Sequence, residues 1–377
     1  MTISKGRIVH LTTVHHPYDP RIYHKECLSL HKAGFDVTLI AQEADHDLGK
    51  DKPIKHITLK KYTNRIKRMI FGTMDAYKKA KKLDADIYHF HDPELLPVGW
   101  LLKRKKNVVI YDIHEDYVTS IMQKGYMSKP VRKVIATAYK YMEMFFARKM
   151  ELCLAEKYYK DIYPKGVRIL NYPTINEKFI EHRRDNRPLE DKLLYTGNVS
   201  YVRGAHIHSK VPLIDEAVSV HFVGKCPSDL AEEMFSIAGE RRDNLKIEGI
   251  DQFIEKEDIE ARYLSHNWLA GLALFPPTDH YMKKELTKFF EYMNAGLPII
   301  CSNFPVWEKF IETYKCGIAV DPYSETEIRQ AIKYLRNNQD EAKKMGQNGK
   351  QAVLEELNWN TQEENLITWY DQLLKYN

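Results

Sequence analysis

The 377-residue chain has only five cysteines, Cys27, Cys153, Cys226, Cys301 and Cys316, and no two form a C-x-x-C pair. A disulfide framework and a cysteine-based zinc module are therefore both excluded, and the thiols are expected to be reduced and mostly buried. The 17 Gly and 16 Pro are too few for a chain dominated by linkers or collagen-like repeats. No apolar run approaches the roughly 18 residues needed to cross a bilayer. The stretch Ile8 to Val14, after Lys5 and Arg7, is too short for a secretory core, so a cytoplasmic protein is expected. Neither G-x-G-x-x-G nor G-x-x-x-x-G-K-[ST] occurs, so any bound nucleotide must be held without those two loops. Internal repeats and low-complexity tracts are absent as well, which rules out a solenoid.

What is present fits a folded chain of two domains. Hydrophobic residues make up 44% and charged residues 29%, which leaves no room for extensive disorder, and the length exceeds the roughly 150 residues of one ordinary core. Charge is unevenly spread. Residues 1–180 carry 33 Lys and Arg against 20 Asp and Glu, a net +13, whereas residues 181–377 carry 24 against 32, a net −8. One half is thus suited to an anionic surface.

The first half reads as alternating strands and helices. Arg7 to Thr13, Phe35 to Ala41, Asp86 to Phe90 and Asn107 to Tyr111 are short apolar strands, and Arg21 to Ala33 has helical spacing closed by Gly34. Asp92 is expected to cap a helix that starts at Pro93 and Glu94. The polar segment Glu181 to Glu190 is the expected linker. Beyond it, Lys192 to Thr196, Val218 to Val223, Leu245 to Glu248, Ala270 to Phe275 and Pro298 to Cys301 repeat the alternation. Such an order implies parallel sheets, whose ligands bind at the carboxyl ends of the strands.

Chemistry-bearing residues gather after those strands. Thr287 to Cys301 (TKFFEYMNAGLPIIC) opens a helix with Lys288, which suits a diphosphate because free backbone N–H groups and a cation then point the same way. Glu291, one turn on, can accept hydrogen bonds from sugar hydroxyls; an ordinary surface Lys and Glu is the competing reading. In GNVSYVRG (Gly197 to Gly204) two glycines bracket a loop whose Arg203 can grip phosphate. In the first half, His15, His16, Asp19 and Arg21 follow strand one, His89, His91 and Asp92 follow a later strand, and His114, Glu115 and Asp116 another. With no H-E-x-x-H, a transition-metal site is not expected.

These loops resemble those of the retaining family-four glycosyltransferases of bacterial polysaccharide and capsule biosynthesis. The resemblance runs through HHPYDPRIYHKECLSLHKAGFDVTLIA (15–41), ADIYHFHDPEL (85–95), VVIYDIHED (108–116), LYTGNVSYVRG (194–204), VHFVG (220–224) and TKFFEYMNAGLPIICS (287–302). It implies an α/β GT-B fold: two doubly wound Rossmann-like domains facing across a cleft, an acceptor domain at 1–180, a nucleotide-sugar domain at 190–357, and a helix over 358–377 crossing back. It further implies transfer of a sugar from a nucleotide sugar, a UDP-sugar, with retention and without a cofactor or metal. His114 and Glu291 are the implied catalytic residues. Gly197, Asn198, Arg203, Lys283, Thr287, Lys288 and Glu291 would surround the donor, and His15, His16, Asp19 and Arg21 the acceptor. Two positions depart from the family pattern: Lys283 stands where a Glu is usual, and Asn198 where an Arg is usual. They leave open an inactive GT-B scaffold, or a nucleotide-sugar epimerase, as rival readings.

Two segments point to a membrane surface. Residues 60–83 place Ile66, Met69, Ile70, Met74 and Tyr77 at helical spacing among nine Lys and Arg, and residues 127–149 repeat the theme with Val131, Ile135, Met142, Phe145 and Phe146. Peripheral contact with the anionic inner face of the cell membrane and a glycan or lipid-linked acceptor are expected. No nucleic-acid module is recognised.

Overall fold

The computed structural model describes residues 4–43, 53–123, 127–181 and 188–375. They form two compact units, one of Met1–Asn171 with Trp359–Asn377, the other of Tyr172–Asn358. Of the expected linker, residues 182–187 lie outside the described set.

The first unit is built on strands β1 (Arg7–Leu11), β2 (Asp36–Gln42), β3 (Lys55–Leu59), β4 (Ile87–Phe90), β5 (Val108–Ile113), β6 (Glu151–Leu154) and β7 (Val167–Arg168), all parallel in the order β3-β2-β1-β4-β5-β6-β7. The order reverses between β1 and β4, so the loops after those two strands flank the crevice where such sheets bind ligands. Both sheet faces are covered, because β4 and β5 are apolar and buried at nearly every position. Trp359, Leu366, Trp369 and Tyr370 of the C-terminal helix Trp359–Lys375 complete one of these cores, beside Ile22, Leu30 and Ile87. The second unit repeats the plan with β8 (Glu190–Thr196), β9 (Ser219–Cys226), β10 (Leu245–Ile250), β11 (Trp268–Ala273), β12 (Ile299–Ser302) and β13 (Gly317–Val320) in the order β10-β9-β8-β11-β12-β13. Its reversal lies between β8 and β11. All five cysteines are buried and unpaired.

Several expectations are corrected. β1 ends at Leu11 because the next residues, Thr12 and Thr13, bond sideways to Asp92. Asp92 stands at the N-cap position before Pro93 as expected, but its carboxylate makes no cap bond; its Oδ2 accepts from the Thr13 amide at 2.6 Å and the Thr12 hydroxyl at 2.9 Å, across the sheet. The helix expected over 21–33 begins at Pro20 and winds with π-type turns to Cys27 before Leu28–Lys32 continues as α-helix. Asp19 is its N-cap, accepting from the Arg21 and Ile22 amides.

In the basic segment, helical turns run from Arg65 to Leu83. Ile66, Met69, Ile70, Phe71 and Met74 are between 45% and 67% exposed, so this stripe does not pack on the sheet. Tyr77 is the exception and packs inward. On the helix Lys129–Ala147, Val131, Val134, Ile135, Tyr141, Met144 and Phe145 are exposed, while Phe146 packs on the core. Among the described residues no helix is long and apolar enough to cross a membrane.

Candidate active site

In the second unit the loop after β8 carries the first cation. Gly204 has φ +80°, and a Cβ there would meet the Leu274 carbonyl oxygen at 2.0 Å, so only glycine lets this loop lie against the end of β11. His208 locks the contact. Its Nε2 accepts from the Leu274 amide at 2.9 Å, which leaves Nδ1 to donate to the Gly204 carbonyl at 2.7 Å. Burial first, and then the charge of Lys288, hold this imidazole neutral with its pKa pushed down to about 3. The pinned loop presents Arg203, whose Nε donates to the Tyr281 hydroxyl at 3.3 Å and whose Nη1 reaches the Asn198 carbonyl at 3.4 Å.

The second cation comes from the helix Thr287–Asn294. Lys288 is buried, with Nζ 3.5 Å above the Tyr195 ring and 5.0 Å from the Phe275 ring, and among the described residues it has no hydrogen-bond partner. A buried ammonium facing only π-electrons is poorly compensated. Burial, and then the Arg203 charge, hold its pKa well below the usual lysine range, although Glu291 pulls the other way. Glu291 accepts from the Tyr263 hydroxyl at 2.9 Å, and that hydroxyl lies 2.7 Å from Thr196 Oγ1 at the end of β8. Burial raises the Glu291 carboxyl above its ordinary value. No side chain caps this helix, though the Phe289 amide already donates to the Leu286 carbonyl at 3.0 Å; the helix start carries the positive end of the dipole toward an anion.

The structure thus gathers Gly197, Asn198, Arg203, Lys288 and Glu291 at the carboxyl ends of β8 and β11 through Tyr195, Tyr263 and Tyr281. Asn198 takes part through its carbonyl, which also accepts from the Tyr195 hydroxyl at 2.9 Å; its side chain is exposed. Thr287 and Lys283 are exposed, and Lys283 makes no hydrogen bond or ion pair among the described residues. The tyrosines and His208 escape sequence reasoning, since no spacing marks a side chain that acts by packing beneath a cation.

In the first unit, His15, Asp19, Asp92, Asp112 and His114 form one chain of contacts. His114 Nε2 lies 3.1 Å from His15 Nε2, and His114 Nδ1 lies 3.3 Å from Asp112 Oδ2. His15 approaches Asp92 Oδ1 and Asp19 Oδ2, each at 3.4 Å. Burial lowers the His15 pKa, but the Asp19 bond and the Asp92 charge outweigh it and leave the ring easier to protonate than usual. Arg21, expected on the acceptor side, is corrected: it is 5% exposed and spends its guanidinium on Asp112, at 2.9 and 2.7 Å, and on Glu26 at 3.1 Å. His16 is exposed and stands apart, its Nδ1 accepting from the Tyr18 amide at 3.2 Å. Below this chain, His10, Glu26, His89 and His91 come together in the interior.

Two switch-point crevices result, one in each unit, the one with paired cations and a carboxylate and the other with histidines. Residues 24–155 match the family model Glycosyltransferase Family 4, and residues 252–352 match Glycosyl transferases group 1. The chain is a family-4-like glycosyltransferase with the GT-B fold. Among solved structures it is similar to the sucrose-phosphate synthase of Thermosynechococcus elongatus, at 16% identity and TM-score 0.72, covering 99% of this chain and 100% of that one. It is likewise similar to HepE of Anabaena in complex with UDP (11%, TM-score 0.70, 97% and 100% covered). A third is WaaG, a glycosyltransferase involved in lipopolysaccharide biosynthesis (13%, TM-score 0.66, 95% and 98% covered). No curated protein sequence matches it significantly.

Proposed function

We propose that this glycosyltransferase moves a sugar from a UDP-sugar, with retention of configuration, to a glycan or lipid-linked acceptor at an anionic membrane surface. The observation that carries the donor half is Lys288: a buried ammonium with no hydrogen-bond partner among the described residues, beside a second cation, Arg203, is a site suited to an anion. A diphosphate supplies that charge. Arg203, Lys288 and the uncapped helix start would hold it and stabilise the negative charge that grows as it leaves, so no metal is needed for that step. Glu291, held by Tyr263, would accept from the ribose hydroxyls. UDP bound to HepE supports the choice of base.

The transfer itself breaks the bond between the anomeric carbon and phosphate oxygen while the acceptor oxygen bonds the same carbon from the same face. The acceptor proton passes to the departing phosphate oxygen. His114, with its nitrogens set by Asp112 and His15, would bind the transferred sugar, and His15 and Asp19 would line the acceptor side.

The membrane half rests on the exposed apolar side chains Ile66, Met69, Ile70, Phe71 and Met74 beside the exposed Arg65 and Lys67; Arg68 is spent on Glu94 by two bonds of 3.1 Å. Apolar insertion and basic attraction then act together, with about 1 kcal/mol from each basic residue near the surface.

Thermal shift with UDP, GDP, ADP and CMP, and with UDP-sugars, tests the donor assignment on the wild type and on Glu291→Ala. A ligand at 100 times its Kd adds about 2.7 kcal/mol of stability. Stabilisation by UDP that falls in Glu291→Ala is the expected result; none with any nucleotide would overturn it.

A further inference from the structure

We propose that His10, Glu26, His89 and His91 form a closed structural zinc site inside the first unit. The four come from three elements: His10 from β1, Glu26 from the helix Pro20–Cys27, and His89 and His91 from β4 and the residue just beyond it. All four are fully buried, and each offers one ligand atom within 4.8 Å of the others.

The cluster holds an internal hydrogen bond, His10 Nδ1 to His91 Nε2 at 3.0 Å, and His89 Nδ1 bonds the Tyr370 hydroxyl at 2.7 Å, but Glu26 stands off from all three imidazoles. Glu26 Oε2 stands 3.7 Å from His89 Nδ1, 3.9 Å from His10 Nδ1 and 3.9 Å from His91 Nε2. These are too long for hydrogen bonds; among the described residues Glu26 Oε2 makes none, and Oε1 is met only by the Arg21 ion pair at 3.1 Å. Four ligands about 2.1 Å from a tetrahedral zinc lie roughly 3.4 Å from one another. The observed separations, together with 3.0 Å between His10 Nδ1 and His91 Nε2, straddle that edge. A buried carboxyl pointing at three imidazoles without touching any of them is the arrangement an ion would draw together.

The surroundings fit the same reading. Asp112 Oδ2 lies 3.0 Å from His91 Nδ1, so it accepts that N–H and turns Nε2 inward, the outer carboxylate that metal-bound histidines commonly have. Arg21 Nη2, 3.1 Å from Glu26 Oε1, occupies one carboxyl oxygen and leaves the other for the ion. The Tyr370 hydroxyl, 2.7 Å from His89 Nδ1, is released when the ion takes that place. Three imidazoles and one carboxylate suit zinc, and with no solvent-exposed ligand the site would be structural. It would tie β1, the loop helix and β4 together and, through Asp112, steady the loop that carries His114. The diphosphate-binding residues of the second unit play no part in it.

Elemental analysis of the untagged full-length protein, purified without chelator from zinc-supplemented medium, tests this. About one zinc per chain is expected, and cobalt-loaded protein should show the intense visible bands of a tetrahedral ion. Glu26→Gln and His91→Ala should fall below about a tenth of an equivalent, while Tyr370→Phe and His208→Ala, the latter a buried histidine of the second unit, should keep the metal. Folded wild-type protein without stoichiometric metal after equilibration with zinc would overturn the proposal, as would full zinc content in both ligand variants. If the ligand variants are insoluble, the wild-type metal content and the cobalt spectrum still decide it.

Discussion

Arg21 and Asp112 are joined by two hydrogen bonds, of 2.7 and 2.9 Å, in the interior of the first unit, and together they fasten the loop after β1 to the end of β5. The same carboxylate reaches His91 and His114, so four side chains take their places from one ion pair. Arg21→Met leaves the buried Asp112 carboxylate without its cation, with only the His91 and His114 contacts, which should cost about 3–5 kcal/mol in urea unfolding. The pair also sets a pH signature. The Asp112 carboxyl is held well below its ordinary value because the Arg21 charge and the histidine bonds outweigh its burial. Its stabilisation is therefore fully present above the unfolded value of about 4 and is lost as pH falls through the folded one. The wild type should keep this contribution at pH 5, whereas Arg21→Met lacks it at every pH.

Lys288 predicts opposite effects on the free and bound protein. A lysine whose folded pKa is depressed makes folding less favourable below its unfolded value of about 10.4, because the folded state must bury an ammonium or give up a proton. Lys288→Met should therefore stabilise the nucleotide-free protein at pH 7 and flatten the rise of stability between pH 7 and 10. It should weaken UDP by about tenfold or more, since a charge-assisted bond to phosphate is lost. Calorimetry in buffers of different ionisation enthalpy should show proton uptake when UDP binds the wild type and less in Lys288→Met. Equal affinity in both proteins would remove Lys288 from the donor site.

Gly204→Ala should destabilise the second unit by about 2 kcal/mol or more, because a strained φ and an immovable backbone oxygen act together. His208→Ala should destabilise through the same contact, which the neutral imidazole bridges. If urea unfolding shows no loss for Gly204→Ala, the loop does not lie against β11 as described.

Sedimentation with vesicles containing anionic lipid should carry the wild type down at low salt and release it as salt rises, since the attraction is screened. Replacing Ile70 and Phe71 by Ser removes exposed apolar surface without touching the core, so folding should be unchanged while vesicle binding falls. Binding that survives this change but not Arg65→Glu with Lys67→Glu would make the contact purely electrostatic.

Removing residues 358–377 should destabilise the first unit selectively. Trp359 donates to Ser29 Oγ at 3.0 Å, and Leu366, Trp369 and Tyr370 fill the core beside Ile22 and Leu30. Limited proteolysis should then cut the first unit faster and leave the second nearly unchanged.

The alternation of short apolar strands with amphipathic helices made both parallel sheets legible, because strands buried on two faces must be continuously apolar. The loops worth watching could be read for the same reason, since ligands collect where parallel strands end. Lys288, Arg203 and Glu291 stood out as charged residues at such ends. The chain alone could not reveal that Arg21 is internal, that Asp92 bonds back to Thr12 and Thr13 instead of making a cap bond, or that Tyr195 lies beneath Lys288. Each of those depends on partners 79 to 93 positions away, which no local spacing encodes. The edge strands β3, β7 and β13 went unread because they are short and half-exposed.

The sequence by itself determined the class of fold, the charge asymmetry and the candidate positions, since periodicity and composition are local properties that burial must respect. Only the tertiary structure decided which of those charges are spent on one another and which remain unmatched. Arg21 is shared between Asp112 and Glu26, whereas Lys288 faces an aromatic ring. That difference is one of distance in three dimensions, and a charge left unmatched in a low-dielectric interior is what calls for a ligand.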